Sequence, residues 1–399
     1  MYLLLAFIAY VALVHALRFR RLQGIHKKHN YTTRESMSRM TDDEAWEIQK
    51  TLLQLEFPTT AFKSIQFALF KTYAIPSIST LLAKTGQFSN PSTAFKRYSD
   101  TSVLIGEFTA SRPSSNRARA AIARTNLLHS AYRASGKIRD DDMLYTLSLF
   151  AGEPIRFINR YEWRELSALE KCAVGTFWKS LGDALEVSYD CLPSSKDGFR
   201  DGIHWLEEVM AWSRAYEEEH MVPHAKNKEV ADKTVDILLF GVPECLKPLG
   251  CYLVSYLMED RLREAMLYKP PPRIVSQMLT LATTIRKYVL RHLALPRPYF
   301  LRYDYFTESP DANGRNFLLI WDAAPYYVRP TMWNRWGPTA WLAWARGLPL
   351  PGDNGGMYYP HGYDVLDLGP KYYEGKGLEQ VEETKAVLGQ RRTGGCPFH

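Results

Sequence analysis

The 399-residue chain predicts an all-α fold. Three observations lead there. Apolar residues recur at three- and four-residue spacing through most segments, period-2 runs rich in Val, Ile and Thr are scarce, and clear helix-start signals precede the strongest stretches. With 46% hydrophobic and 13% aromatic residues the chain can bury a large core, and no long low-complexity tract dilutes it.

The first element is an apolar run over residues 1–17, broken only by His15 and followed by Arg18, Arg20, Arg21, Lys27 and Lys28. About 20 residues usually cross a bilayer, so this run suits a thin endoplasmic reticulum membrane, with Arg18 snorkelling to the interface. Basic residues follow the run and none precede it, which by the positive-inside rule sets the body in the cytosol. The same asymmetry favours an uncleaved, single-pass anchor over a signal peptide cut near Val14-His15-Ala16.

After a basic linker, Thr41-Asp-Asp-Glu44 reads as a capping box that opens a helix through Leu55. Residues 90–109 form a second clear helix, with Asn90 as cap and Pro91 in the first turn. One face of it carries Ala94, Arg97, Thr101, Leu104 and Phe108, so a cation lies in an inward stripe. The next helix runs from Arg117 to Ala134, stops at Ser135-Gly136, and turns Ala118, Ile122, Thr125, His129 and Tyr132 inward. Further helices are expected at 141–151, 165–187, 202–219, 229–240, 252–268 and 273–293. The last hundred residues differ, because prolines such as Pro296, Pro325, Pro338 and Pro349 break the pattern and Trp321, Trp333, Trp336, Trp341 and Trp344 crowd it. The expected organisation is an anchor at 1–17, a basic linker at 18–40, a helical domain at 41–294 and an irregular extension at 295–399 packed on the core, with the aromatic cluster in the core or at a membrane interface.

Fifty basic residues against 43 acidic ones give a formal charge of +7, which suits an anionic partner such as a membrane surface or a pair of propionates. Nucleic acid is not expected, since the cations are scattered and no zinc-finger, RNP or basic-zipper signature occurs. Five cysteines without CxxC pairs indicate neither a disulfide framework nor structural zinc.

Among ten histidines, His129 is the best placed for a ligand role, on the apolar stripe of a strong helix where a flat cofactor can wedge into a bundle. A neutral imidazole there can hold haem iron and leave the opposite position free, the alternative being a satisfied core histidine. Arg97 and Thr101 lie one turn apart and can reach a single ligand, either a propionate or bound oxygen, unless Arg97 merely anchors a structural carboxylate. Cys396-Pro397 is a weaker candidate thiolate ligand. His220 and His224 have HxxxH spacing, but Pro223 disrupts it, so a solvated turn is expected. Asp140-Asp-Asp142 lacks the later carboxylate of a DDxxD magnesium site and reads as a helix start.

The segment Arg97-Tyr-Ser-Asp-Thr101, followed by His129 within Arg124-Thr-Asn-Leu-Leu-His-Ser-Ala-Tyr-Arg133, resembles the latex-clearing-protein or rubber oxygenase catalytic domain. The likeness is strongest to the fungal, endoplasmic-reticulum-bound branch of that family, which serves mycophenolic acid biosynthesis. It extends to Gln66-Phe-Ala-Leu-Phe70, Thr176-Phe-Trp-Lys-Ser-Leu-Gly-Asp-Ala184, Trp333-Asn-Arg-Trp-Gly-Pro338 and Arg392-Thr-Gly-Gly-Cys-Pro-Phe-His399.

This resemblance implies an oxygenase with b-type haem in an all-α fold. His129 would be the axial iron ligand, Arg97 and Thr101 the catalytic polar pair, and Arg124 and Arg133 further cofactor-binding residues. The implied reaction is dioxygen-dependent cleavage of an isoprenoid carbon–carbon double bond, with a prenylated aromatic, a farnesylated phthalide, as substrate. An anchor in the endoplasmic reticulum membrane would place the enzyme where such a substrate partitions. Two departures stand out. The acid–base glutamate of rubber oxygenases has no counterpart, since no Glu occurs between Glu56 and Glu107, and Asp100 stands where a lysine can cap the iron in some members. The alternative expectation is a non-catalytic membrane carrier or sensor of haem.

Overall fold

The computed structural model describes residues 1–88, 90–321, 323–392 and 394–398. In chain order the helices are α1 (Tyr2–Arg18), α2 (Arg20–His29), α3 (Arg34–Met37), α4 (Asp42–Thr51), α5 (Pro58–Thr72), α6 (Pro76–Lys84), α7 (Pro91–Ala110), α8 (Asn116–Ala134) and α9 (Asp140–Tyr161). There follow α10 (Ala168–Ala184), α11 (Gly202–His220), α12 (Ala225–Leu238), α13 (Lys247–Leu257), α14 (Asp260–Ala265), α15 (Arg273–His292), α16 (Met332–Trp336), α17 (Pro338–Ala345) and α18 (Leu378–Arg391). The fold is all-α. Among the described residues β structure is limited to three isolated bridges in the carboxyl-terminal region.

The capping box forms as the spacing predicts: the Glu44 amide donates to Thr41 Oγ1 at 3.2 Å, and the Thr41 amide donates to Glu44 Oε2 at 3.0 Å. The helix it opens passes into a π-helical turn at Leu52–Glu56 and ends before Pro58, which starts α5. At the head of α7 the Asn90 carbonyl accepts the first helical bond, from Ala94, as an N-cap carbonyl does. Thr393 and His399 of the carboxyl-terminal motif lie outside the described residues.

Four expectations change against the structure. The basic segment after the anchor is helical over Arg20–His29 and buries Ile25. Helix α9 runs on to Tyr161 through Pro154, because its buried face packs along α5 and against α10 and α11, which outweighs the one backbone bond that Pro154 cannot make. The helix expected over 252–268 is split at Met258 and Glu259, where buried Met258 is extended and Glu259 ion-pairs with Lys71 and Arg156. The carboxyl-terminal region is irregular apart from the short helices α16 and α17, but it ends in a longer regular helix, α18, that lies along α8.

The core centres on α9 and α10, with Tyr145, Phe177, Trp178 and, from α11, Trp205 fully buried. Tyr327, Tyr363 and Leu368 of the last hundred residues are equally buried, so this segment helps to build the core. At the other end the first thirteen residues of the chain are almost all exposed, while Val14 and Arg18 are buried against the body. Among the described residues, the stretch Tyr2–His29, formed by α1 and α2, is the one helical span long and apolar enough to cross a membrane.

Candidate active site

A cavity of about 610 Å³ opens between α6, α7, α8, α9 and α10, and the carboxyl-terminal segment closes it. Helix phase delivers its polar residues. Arg97, Thr101, Leu104 and Phe108 come from the inward face of α7, and Thr125, Leu128, His129 and Tyr132 from that of α8, because residues three and four apart share a face. Ile78, Leu81, Leu82, Leu147, Phe150 and Leu181 make the rest largely apolar. Arg97, Thr101 and His129 thus meet at one cavity, as their stripes predicted.

The His129 ring is surrounded by protein yet open to the cavity, and its nitrogens have no hydrogen-bond partner among the described residues. Burial pushes its pKa down to about 4, and the nearby Arg97 and Arg133 cations push in the same direction. At neutral pH the imidazole is therefore uncharged, with a lone pair available. Arg97 also lacks a hydrogen-bond or carboxylate partner among the described residues, so the expectation of a structural ion pair is not met. Burial lowers its pKa, and its guanidinium carbon sits 5.1 Å from the centre of the Phe88 ring. The Thr101 hydroxyl is likewise without a partner among the described residues.

Arg124 and Arg133 are not among the described residues that line this cavity. Arg124 is instead taken up by the carboxyl-terminal segment, where its guanidinium donates to four carbonyls, those of Leu366, Leu368, Tyr373 and Lys376, at 2.7–2.9 Å. Arg133 turns to the end of α10 and donates to the carbonyls of Leu185 and Glu186. In both cases unsatisfied backbone carbonyls draw the cation away. The cations on the wall are instead Lys96, Arg97, Lys137 and Lys371. Lys137 and Lys371 are exposed and have no acidic partner among the described residues.

Asp100 and Asp142 are the carboxylates on the described wall, and no glutamate joins them. Both are engaged. Asp100 accepts from Lys96 Nζ at 2.9 Å, from Tyr327 at 2.5 Å and from the Gly369 amide at 3.1 Å. Asp142, in the first turn of α9, accepts from Ser77 and Tyr216. Cys396 lies elsewhere, donating to the Ser38 carbonyl, and the His224 ring caps α12 by accepting from the Lys226 amide. Sequence reasoning missed Tyr326, Met357, Tyr359 and Tyr372, which close the cavity from the carboxyl-terminal segment. No local pattern marks them, because they reach the site only through long-range packing.

Residues 66–287 match the family described as ER-bound oxygenase mpaB/B'/rubber oxygenase, catalytic domain. The chain is 54% identical over 392 residues to the ER-bound oxygenase mpaB' of Penicillium brevicompactum, an alignment covering 98% of this chain and 93% of that protein. It is 50% identical over 364 residues to the ER-bound oxygenase mpaB of the same fungus, covering 91% and 86%. With the ER-bound oxygenase mpaB of Penicillium roqueforti (strain FM164) it shares 59% identity over 261 residues, covering 65% and 88%.

Proposed function

The chain belongs to the family of ER-bound mpaB/B' and rubber oxygenase catalytic domains and is an oxygenase, and from that premise we propose that it uses haem b to cleave a prenyl-chain double bond. The substrate would be a prenylated aromatic, with the farnesylated phthalide of mycophenolic acid biosynthesis as the specific candidate. One observation carries the reading: a neutral imidazole, His129, and a guanidinium without an ion-pair partner among the described residues, Arg97, face the same largely apolar cavity.

This donor set suits a haem better than a metal held by side chains alone. A mononuclear non-haem iron takes two histidines and a carboxylate, and no group of three potential ligands occurs among the described residues. One imidazole suffices when a macrocycle supplies the other donors. When bound, haem would supply an iron able to take up dioxygen for alkene cleavage. His129 would hold that iron from α8 without first losing a proton. Arg97 and Thr101, one turn apart on α7, would hold hydrogen-bond donors in the cavity that His129 faces, available to the reacting oxygen, where a desolvated cation is most effective. Lys137 and Lys371 at the mouth would take the propionates in place of Arg124 and Arg133.

The apolar wall would hold the prenyl chain and exclude water. In the overall conversion the C=C bond breaks and each new carbonyl carbon receives one oxygen atom of dioxygen. No external electrons and no net proton are needed, which suits a wall whose two carboxylates are already hydrogen-bonded. The relatives' names support attachment to the endoplasmic reticulum, and the basic residues after α1 support a single-pass anchor with a cytosolic body.

The test is product analysis. Full-length protein in its membrane fraction, given a farnesylated phthalide under isotopically labelled dioxygen, should release carbonyl fragments, an aldehyde among them, that carry the label. The purified protein should show a Soret band that is lost or strongly shifted in His129→Ala. A colourless but folded protein after haem-replete expression overturns the proposal.

A further inference from the structure

Helix α15 reverses the usual arrangement of an amphipathic helix. Ile274, Met278, Leu281, Ile285 and Tyr288 recur at spacings of four and three, which puts them on one stripe. In a soluble domain that stripe would face the core, yet here these side chains are 67, 64, 60, 54 and 63% exposed. No residue of α15 is buried.

The stripe is part of a larger apolar surface. Leu249 and Leu253 of α13, which packs on α15, are also exposed. So are Trp336 of α16 and Trp341 and Trp344 of α17, and Arg346 just after α17 donates to the Gly241 carbonyl at 2.7 Å near the start of α13. On its other side α15 joins α1: the His15 and His292 rings are in contact, and Tyr10 donates to the Leu293 carbonyl at 2.8 Å. The exposed face is therefore continuous with the helix apolar enough to span a bilayer.

Charge narrows the choice of occupant. No acidic residue lies between Glu264 and Asp304, a stretch that holds Lys269, Arg273, Arg286, Lys287, Arg291, Arg297 and Arg302. Lys269, Arg273 and Arg291 are exposed and have no ion-pair partner among the described residues. A second copy of this face would bring like charges together, whereas anionic headgroups attract them. A basic helix with one apolar face, too polar overall to span, and a nearby group of exposed tryptophans are the features of a surface lying in a membrane interface.

We propose that α15, α13 and the α16–α17 segment form a second, in-plane membrane contact, seated in the same leaflet surface from which α1 emerges. The proposal stands apart from the haem reading, since it rests on surface residues alone. With α1 fixing the body at one point, the in-plane contact sets its orientation.

The test uses the full-length chain reconstituted in phosphatidylcholine–phosphatidylserine vesicles, with the exposed cysteines replaced by serine. Nitroxide labels at Met278→Cys, Leu281→Cys and Trp341→Cys should collide readily with oxygen and several-fold less with an aqueous nickel chelate than a label at Lys196→Cys, an exposed loop position. Equal nickel access at all four positions overturns the proposal, because the face is then in water. Dipolar broadening between labels at Met278→Cys also overturns it, because the face then meets a second copy.

Discussion

Tyr327 donates its phenolic hydrogen to Asp100 Oδ1 across 2.5 Å, tying the carboxyl-terminal segment to α7 in the cavity wall. Lys96 and the Gly369 amide hold the other carboxylate oxygen, so this buried group is fully engaged. Burial raises the Asp100 pKa, while Lys96, Tyr327 and Gly369 oppose that rise. Tyr327→Phe should therefore destabilise the protein by about 1–3 kcal/mol, the cost of depriving a buried acceptor. Denaturant unfolding of the full chain in detergent measures it, and an unchanged midpoint would remove Tyr327 from the wall's support.

Arg97 is a cavity-facing cation with no carboxylate partner among the described residues, an arrangement that favours function over stability. Arg97→Met should leave the haem-free protein as stable or more stable, by up to about 1–4 kcal/mol, the range seen when buried charges give way to apolar groups. Product formation should fall roughly 10²–10³-fold, as for loss of one preorganised donor, with the Soret band kept. Loss of both folding and colour would instead make Arg97 structural.

Lys137 and Lys371 stand at the mouth of the cavity, where propionates would meet solvent. The double variant Lys137→Gln/Lys371→Gln should fold normally but lose haem faster to an acceptor such as apomyoglobin. Arg124→Gln, by contrast, should destabilise the fold by at least the roughly 1.5–3 kcal/mol of one charged hydrogen bond, because Leu366, Leu368, Tyr373 and Lys376 lose a shared donor. Reversed outcomes for the two variants would restore Arg124 as the cofactor's partner.

Lys71 is buried among Glu153, Glu217 and Glu259, with Nζ–O distances of 3.3, 2.8 and 3.3 Å. Lys71→Met should cost about 3–5 kcal/mol at pH 7, since it takes the cation away from the buried Glu153 carboxylate. The effect should shrink on acidification. Burial alone would raise the Glu259 pKa, but Lys71 and Arg156 overcome it and hold the group below its ordinary value of 4.5. Such a group stabilises the fold above its unfolded value and loses that contribution as pH falls through the folded one. The gap between wild type and variant should therefore narrow below about pH 4.5. A gap independent of pH would exclude charge as its cause.

Gly175 of α10 lies so close to Gly202 that a Cβ there would sit 2.0 Å from the Gly202 carbonyl oxygen. Backbone cannot yield as a flexible side chain can. Gly175→Ala should cost about 1–3 kcal/mol by forcing α10 and α11 apart, read as a lower thermal midpoint.

Much of the site could be read from residue order alone. The three- and four-residue spacing that turns Arg97 and Thr101 inward on α7, and His129 inward on α8, is a local property of helices and survives folding unchanged. The capping box at Thr41 and Glu44 is legible for the same reason, since both partners lie within four residues. The limits of α9 and of the α13–α14 pair were not, because Pro154 and Glu259 read differently once α5 supplies a packing surface and Lys71 a counter-charge.

Tertiary structure alone decided which arginines are free. Arg124 and Arg97 look alike as sequence, each a cation on an inward-leaning helix, yet Arg124 is consumed by carbonyls some 240–250 positions away while Arg97 has no hydrogen-bond or carboxylate partner among the described residues. Every residue carries a carbonyl, so no sequence pattern announces which ones will go unsatisfied and capture a guanidinium. By itself the sequence determined the all-helical class, the inward faces of α7 and α8 and the histidine that faces the cavity. The fold decided what closes that cavity, which cations remain for a ligand, and that the apolar stripe of α15 points outward, because each depends on what lies across the chain from it.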